Sequence, residues 1–293
     1  MEENDELARL LMKSGAVAYG VAEACPVEDG EWSRFEAWLD AGYHAGMEYM
    51  ERYPDLRRDP RLLLPGAKSL VSVAYNYRQE NPIKGVATYA LGQDYHKVLR
   101  RRLHSVVREM KAIAGGEWRI CIDSAPVLER YWAVKTGVGT RSEVHGNIVV
   151  EGAGSMVFLA ELITTRILKE KGVNFIAKSL ENSPKSTPDE FQGRAVCPTG
   201  ALKEGGVIDS RRCINYLTIE HRAPLTVEER NMVGEAVFGC DICQRACREN
   251  RGPSPSVLEE FKTMPGLKEF LEGHPGDFDL NSSPLKRSAI RNS

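Results

Sequence analysis

The chain has 293 residues, 42% of them hydrophobic and 27% charged, the balance of a globular protein large enough for one or two domains. A formal charge of −2 excludes a protein drawn to nucleic acid or anionic membrane by its overall field, so any nucleic-acid contact must come from a local basic patch. The acidic opening Met1-Glu2-Glu3-Asn4-Asp5-Glu6 has no apolar signal core, and no apolar run approaches the roughly 20 residues of a membrane span. A cytoplasmic protein with no membrane partner is expected.

In chain order, residues 3–14 predict a helix with Leu7, Leu10 and Leu11 on one face. Val17 to Ala22 is short, apolar and β-capable, and Trp32 to Ala41 reads as a helix ending near Gly42. Arg57-Arg58-Asp59-Pro60 reads as a loop, and Ser69 to Tyr77 alternates and is β-rich, which predicts a strand. Asp94 to Ala114 predicts a long basic helix, Trp118 to Asp123 a strand, and Pro126 to Thr136 a helix with proline where a first turn tolerates it. Val144 to Ile163 holds two apolar segments split by Gly152-Ala153-Gly154-Ser155, which predicts adjacent strands. Strands alternating with helices indicate an α/β layer structure. Residues 178–195 are polar with two prolines and read as a linker. Beyond about 250 there is no strand pattern, and a loosely ordered tail with one helix near 256–272 is expected.

Of seven cysteines, Cys25 and Cys121 stand alone, whereas Cys197, Cys213, Cys240, Cys243 and Cys247 crowd together. In a reducing compartment such a group reads as metal-binding or catalytic. Cys240-Asp241-Ile242-Cys243 lets two thiolates face one centre from a tight turn, and a distant Cys197-Pro198 completes the pattern used by iron–sulfur proteins. Cys197, Cys213, Cys240 and Cys243 would make one Cys₄ site. A Cys₄ zinc site would use the same residues, and buried inert thiols are the plain alternative. The Cys-Pro-Thr-Gly element favours a [4Fe–4S] cluster.

Asp123, at the end of a predicted strand and just before a helix, sits where layered α/β folds place ligands, and a half-buried acid there can serve as a proton donor. Helix capping by Asp123 or Ser124 is the simpler reading. Lys97, Arg101, His104, Arg108 and Lys111 share one face of the basic helix and can meet phosphates, although a solvated face is the default. Arg52, Arg57, Arg58 and Arg61 form a second basic stretch with the same two readings. Gly137-Val138-Gly139 and Gly152-Ala153-Gly154 are read as turns rather than nucleotide fingerprints.

Seven stretches, in order, resemble the epoxyqueuosine reductases, cobalamin-dependent iron–sulfur enzymes of tRNA queuosine synthesis. They are Tyr43-His44-Ala45-Gly46-Met47, Arg58-Asp59-Pro60-Arg61 with Leu64-Pro65-Gly66-Ala67, Asp94-Tyr95-His96-Lys97-Val98-Leu99, Asp123-Ser124-Ala125-Pro126-Val127-Leu128-Glu129, Cys197-Pro198-Thr199-Gly200-Ala201-Leu202, Cys213 to Glu220, and Phe238 to Gln244. The resemblance implies an α+β or α/β fold: a cobalamin-binding and catalytic domain at 1–170, a ferredoxin-like iron–sulfur domain at 171–250 and a C-terminal tail at 251–293. It implies reduction of epoxyqueuosine to queuosine in tRNA, with a reducing electron donor as further partner and the chain a monomer. Asp123 matches the family's proton donor. Arg57, Asp94, Tyr95, His96, Asp123, Tyr216, Asp241 and Ile242 fall in segments expected to face cobalamin, and the basic patches become expected tRNA contacts. The family carries Cys-x₂-Cys-x₂-Cys-x₃-Cys-Pro before the Thr-Gly, and the three earlier positions here are Thr187, Glu190 and Gly193. One cluster is therefore expected and a second is in doubt, with Cys247 its one remaining ligand. The alternatives are a single-cluster electron-transfer or tRNA-binding relative without reductase activity, and a corrinoid reductase acting on a small molecule.

Overall fold

The computed structural model describes residues 3–174, 196–274 and 278–287. The expected linker at 178–195, with Thr187, Glu190 and Gly193, lies outside the described residues. The first half contains α1 (Glu3–Lys13), β1 (Ala18–Glu23), α2 (Asp29–Asp40), α3 (Pro54–Arg58), β2 (Ser69–Asn76), α4 (Tyr95–Ala114), β3 (Trp118–Cys121) and α5 (Glu129–Lys135). It continues through β4 (Thr140–Arg141), β5 (Ile148–Val149), β6 (Val157–Thr164) and β7 (Lys171–Asn174). The second half is helical, with α6 (Ile214–Ile219), α7 (Val227–Val233), α8 (Ile242–Ala246) and α9 (Leu267–Leu271) joined by 3₁₀ turns.

Five strands form one sheet in the order β3-β6-β2-β1-β7, and every pairing is antiparallel. The expected α/β layering is therefore corrected to an α+β arrangement: strands alternate with helices along the chain, but no parallel crossover is made. Period-2 alternation sends Val71, Val73 and Tyr75 of β2 to one face, where α1 and α4 lie. The buried stripe of α4, Val98, Leu99, Leu103, Val106, Val107 and Met110, repeats at helical spacing. Each such side chain taken out of water stabilises the fold by about 1.5–3 kcal/mol. The opposite face receives α5. A Cβ on Gly20 of β1 would stand 2.0 Å from the Thr136 carbonyl oxygen, so the missing side chain is what lets α5 reach the sheet.

Several expectations change. Arg57 and Arg58 close the short helix α3 rather than lying in a loop, and Pro60–Leu62 is a 3₁₀ turn. The strand at 118 stops at Cys121, so Asp123 follows it by two residues, and the helix after it starts at Glu129 instead of Pro126. Val144 to Ile163 is not a pair of neighbouring strands. β5 pairs with β4 in a separate two-stranded sheet, whereas β6 is the second strand of the main one. Gly152 and Gly154, both at positive φ, make the turn between them.

The largest correction concerns the segment beyond 250. Leu258 and Phe261 are buried in the α1–α4 core, and Leu267 and Leu285 pack with Phe238 and Leu91. Glu260 receives hydrogen bonds from Arg101 and Arg102 of α4. A tail rich in proline, serine and glycine thus docks through a few spaced apolar residues, which no periodicity announces. A Cβ on Gly92 would stand 2.6 Å from Phe261 Cα and 2.7 Å from the Glu260 carbonyl oxygen. Gly92→Ala should cost about 1–3 kcal/mol by overpacking, lower the urea midpoint, and make the 251–265 segment easier to cleave with protease. An unchanged midpoint and cleavage pattern would show that this segment is not seated on Gly92.

Candidate functional site

A cavity of about 450 Å³ opens between the α2–α3 region, the start of α5 and the start of α6. Arg57, Asp123, Glu129, Arg130, Arg141, Cys213 and Tyr216 are among its walls. Asp123 is placed by backbone as well as by contacts. Its φ of +55° lies in the left-handed region, which aspartate tolerates better than most residues. Its N–H donates to Glu129 Oε1 at 2.7 Å, so the helix entry holds the turn from the other side.

The Asp123 carboxylate continues a chain of contacts. His96 Nε2 is 2.9 Å from Asp123 Oδ2, and His96 Nδ1 is 2.8 Å from Asp94 Oδ1. Asp94 caps α4 by accepting from the His96 N–H, and Lys286 Nζ donates to its second oxygen at 3.0 Å. Burial alone would raise the Asp94 pKa, but the hydrogen bonds from His96 and Lys286 hold it well below the usual carboxylate range. Asp94 is thus an ionised acceptor that keeps a proton on His96 Nδ1. Burial disfavours the imidazolium of His96, yet the contacts with Asp123 and Asp94 outweigh it and raise its pKa. One transferable proton is shared along the Nε2–Oδ2 contact, and it reaches the cavity through Asp123, whose side chain is 56% exposed.

Arg57 is buried; its Nη2 donates to the Tyr49 carbonyl oxygen at 2.9 Å, while its Nε has no partner among the described residues. Arg141 Nε, on the same cavity, is likewise without one. Buried donors with no acceptor are costly, and both belong to arginines on the cavity wall. Tyr216 Oη accepts from the Gly46 N–H at 2.9 Å, and a Cβ on Gly46 would come within 2.7 Å of that oxygen.

Not every expected residue lines this cavity. Tyr95 is stacked between His96 and Phe158, with ring centroids 4.0 and 4.3 Å away, and backs the acid chain without facing the space. Asp241 accepts from the Thr88 N–H at 2.9 Å and pairs with Arg245 at 2.8 Å, so its carboxylate is committed to joining the two halves. Ile242 is exposed at the start of α8. The basic stretch at 52–61 is largely neutralised: Arg52 pairs with Glu48, Arg58 with Asp29 and Arg61 with Asp59. On α4, Lys97 and Arg101 are taken up by Asn281 and Glu260 of the C-terminal segment. Arg100, His104, Arg108 and Lys111 instead line a second, basic cavity of about 700 Å³ with Arg119.

Four cysteines converge behind the first cavity. Cys197 is flanked by the Thr199 hydroxyl and receives backbone N–H bonds from Thr199, Ala201 and Leu202; these lower its thiol pKa against the opposing effect of burial. Burial raises the other three, Cys240 to about 11 and Cys243 to about 12, and the neighbouring thiolates raise them further. Cys243 feels Cys240, Cys213 and Cys197 together, so all four sulfurs surround one space. They form no disulfide. With pKa values raised this far, Cys240 and Cys243 stay thiols until a metal centre takes up their sulfurs as thiolates. A single zinc ion with Zn–S of about 2.3 Å would draw them to about 3.8 Å apart. Among the described residues, the one group of three such donors within 4.8 Å of one another is His145, Cys247 and Glu249. The four sulfurs are spread more widely, as a cluster requires and a single ion does not. At the separate group, His145 Nδ1 accepts from the Asn147 N–H at 3.2 Å, which leaves Nε2 protonated toward Glu249. A metal-bound histidine would have the reverse arrangement.

Sequence reasoning missed Glu129 as a separate group, although it was quoted with Asp123, and missed Arg141, Tyr49 and Lys286. The first announced itself only as the last residue of a motif. Lys286 carried no signal, because its partner lies 192 residues earlier.

Two comparisons match these features to known families. The family described as "Epoxyqueuosine reductase QueG, DUF1730" matches residues 57–124, and the "4Fe-4S double cluster binding domain" matches residues 194–250. An epoxyqueuosine reductase from Cyclobacterium marinum is 36% identical over 285 residues, covering 93% of this chain and 86% of the relative. That of Escherichia coli K12 is 38% identical over 245 residues, 78% of this chain and 60% of the relative. An epoxyqueuosine reductase solved with an epoxyqueuosine-modified tRNA-Tyr stem loop superposes with a TM-score of 0.77 at 27% identity, covering 90% of this chain and 70% of that one. The Streptococcus thermophilus structure gives a TM-score of 0.78 at 23% identity over 99% of this chain and 76% of that one, a likeness of fold.

Two measurements test this geometry. Cys243→Ser should lose the visible absorption of anaerobically purified protein and drop its iron from about four atoms per chain to near zero, with Cys25→Ser unchanged; retained iron in the first variant would remove Cys243 from the set. Asp94→Asn should let the His96 pKa fall toward the roughly 6.5 of a free imidazole, read by NMR titration of the ring. Because the His96 pKa is raised, its stabilising contribution is full below the unfolded value and is lost as pH rises through the folded one. For Asp94, whose pKa is lowered, the contribution is lost as pH falls through the folded value. A His96 titration indifferent to Asp94→Asn would contradict the hydrogen-bonded pair.

Proposed function

Since the chain belongs to the epoxyqueuosine reductase family, we propose that it reduces epoxyqueuosine to queuosine in tRNA, with Asp123 as the group that donates a proton to the departing oxygen. The observation that carries this is the Asp94–His96–Asp123 chain, which delivers a transferable proton to the wall of a cavity shared with Cys213 of the sulfur group. The domain matched at 194–250 makes the chain an iron–sulfur oxidoreductase.

Removal of the epoxide oxygen as water consumes two electrons and two protons. Cobalamin, when bound, supplies the metal-centred reduction that no side chain can perform. Arg57, Arg141 and Tyr216 are the residues suited to hold it, since all three line that cavity. Asp94, Tyr95 and His96 support it indirectly through Asp123, and Asp241 supports it by fixing α8 against Thr88, with Ile242 exposed at the start of that helix. Cys197, Cys213, Cys240 and Cys243 hold one [4Fe–4S] cluster beside the cavity wall, an arrangement suited to passing single electrons from an external reductant. A second cluster held by cysteine alone does not fit. Of the seven cysteines, Cys25 and Cys121 belong to the core of the first half, which leaves Cys247 by itself. The cobalamin-binding and ferredoxin-like domains, divided near 170 and followed by the segment from 251, remain the working division of a monomeric chain, with β7 carrying the sheet to Asn174. Arg100 and Arg108, which line the second cavity where Lys111 is already paired with Glu117, are the cations on α4 best placed for tRNA phosphates.

The test is anaerobic reconstitution with iron, sulfide and cobalamin, then incubation with epoxyqueuosine-tRNA and a low-potential reductant. Nucleoside mass spectrometry should find a product lighter by one oxygen, and Asp123→Asn should slow turnover by about 10²-fold or more. Fully loaded protein that leaves the epoxide intact would end the proposal.

A further inference from the structure

The sheet carries a carboxyl at its centre that the chain through Asp123 does not use. Across the strands, Gly20, Ser72, Glu161 and Cys121 occupy one row. Glu161 has no exposed surface, and neither of its oxygens has a hydrogen-bond partner among the described residues; Ser72 Oγ and Trp132 Nε1 are in the same condition. A carboxylate cannot stay ionised in such a place, so Glu161 keeps its proton. Burial is the first cause, and the charge of Glu129 is the second, which puts the two acids within electrostatic reach of each other.

Glu129, the second acid, lies on the cavity wall itself. It lines the cavity beside Asp123 and accepts the Asp123 N–H at 2.7 Å. Burial and the Asp123 charge raise its pKa to about 8, so it too is mostly protonated at neutral pH. The charged and titratable groups around it are Asp123 on the loop before α5, Arg130 beside it, Tyr95 and His96 of α4, and Cys121 and Glu161 of the sheet.

The proton count gives Glu129 a task. Asp94 retains the His96 Nδ1 proton, so the Asp94–His96–Asp123 chain has one proton to give, and the reduction needs two. We propose that Glu129, on the cavity wall beside Asp123, supplies the second proton. This rests on the epoxide-reduction reading. With two electrons supplied by the low-potential donor, both carbon–oxygen bonds of the epoxide break and a carbon–carbon double bond forms; the cluster that Cys197, Cys213, Cys240 and Cys243 would hold would supply the one-electron steps. The oxygen leaves as water carrying one proton from Asp123 and one from Glu129. The Glu129 carboxylate recovers its proton from bulk solvent through the open cavity.

The test is the pH dependence of kcat for the loaded wild-type enzyme, Glu129→Gln and Glu161→Gln on epoxyqueuosine-tRNA, alongside infrared difference spectra of the same proteins between pH 6.5 and 9.5. The amide of Glu129→Gln still offers an oxygen to the Asp123 N–H, so the turn is kept, and cobalamin, iron content and melting temperature report whether it is. In the wild type, kcat should decline as pH rises through about 8, and a protonated carboxyl band should be lost over the same range. Glu129→Gln should lower kcat at pH 7 by about 10–100-fold, leave KM for tRNA unchanged, and abolish both the alkaline decline and the band. Glu161→Gln, away from the cavity lining, should leave both the alkaline decline and KM unchanged. A Glu129→Gln enzyme with wild-type kcat and an unaltered alkaline limb overturns this role of Glu129 while leaving the reductase reading intact. A loaded wild type that does not turn over at all overturns both, whatever the infrared spectra record.

Discussion

The buried carboxylate of Asp94 is the contact on which most of the site depends. It caps the twenty-residue helix α4, orients the His96 ring by its Nδ1 proton, and takes Lys286 from the far end of the described chain. A carboxylate this deeply buried is tolerable only because both oxygens are matched by donors. The same matching fixes the tautomer of His96, and so decides that Nε2 faces Asp123. Helix geometry, the acid chain and the docking of the C-terminal segment are thus not separate features. Each uses one oxygen or one lone pair of the same group.

Around that anchor the chain solves a second problem, which is how to bring a redox centre and a proton donor to one cavity from distant parts of the sequence. The sheet and α5 place Asp123, and the helical second half places Cys213 and Tyr216 on the opposing wall. The two halves share apolar clusters, as where Leu258 and Phe261 enter the α1–α4 core and Phe238 packs with Leu91, and polar bonds add to these. Asp241 binds Thr88, Tyr216 binds Gly46, and the Trp38 indole N–H donates to the Ile208 carbonyl oxygen at 2.8 Å. Such contacts are directional, so they fix the register of one half against the other more sharply than apolar packing would.

What could be read from the sequence follows the range of the interactions involved. The helix of α4, the strand at 69–76 and the cysteine group are local patterns, and each was legible. The antiparallel order of the sheet was not, because β6 lies between β2 and β3 only through long-range pairing that alternation cannot reveal. The acid at 123 was legible as an acid before a helix, but its partners were not. His96 reaches it from 27 residues away, and Glu129 looked like the ordinary first-turn acid of a helix. Polar Glu161 inside the apolar run Val157–Thr164 was a visible exception to the strand pattern, and its significance appears only when the row across the sheet is assembled. The docking of the segment beyond 250 escaped notice because isolated anchors such as Leu258 and Phe261 have no period.

The Lys286–Asp94 contact also sets a schedule for biosynthesis. The two residues are 192 positions apart, and at about 5–20 residues per second the ribosome needs roughly 10–40 s to go from one to the other. During that interval the early sheet can pair, but Asp94 lacks one of its two counter-charges and the helix it caps lacks Glu260 as a neighbour. The acid chain is therefore finished late, after the cysteines have already emerged. A nascent chain in this state has released all its cysteines before Asp94 meets Lys286, so the contact made by the C-terminal segment is the last to close.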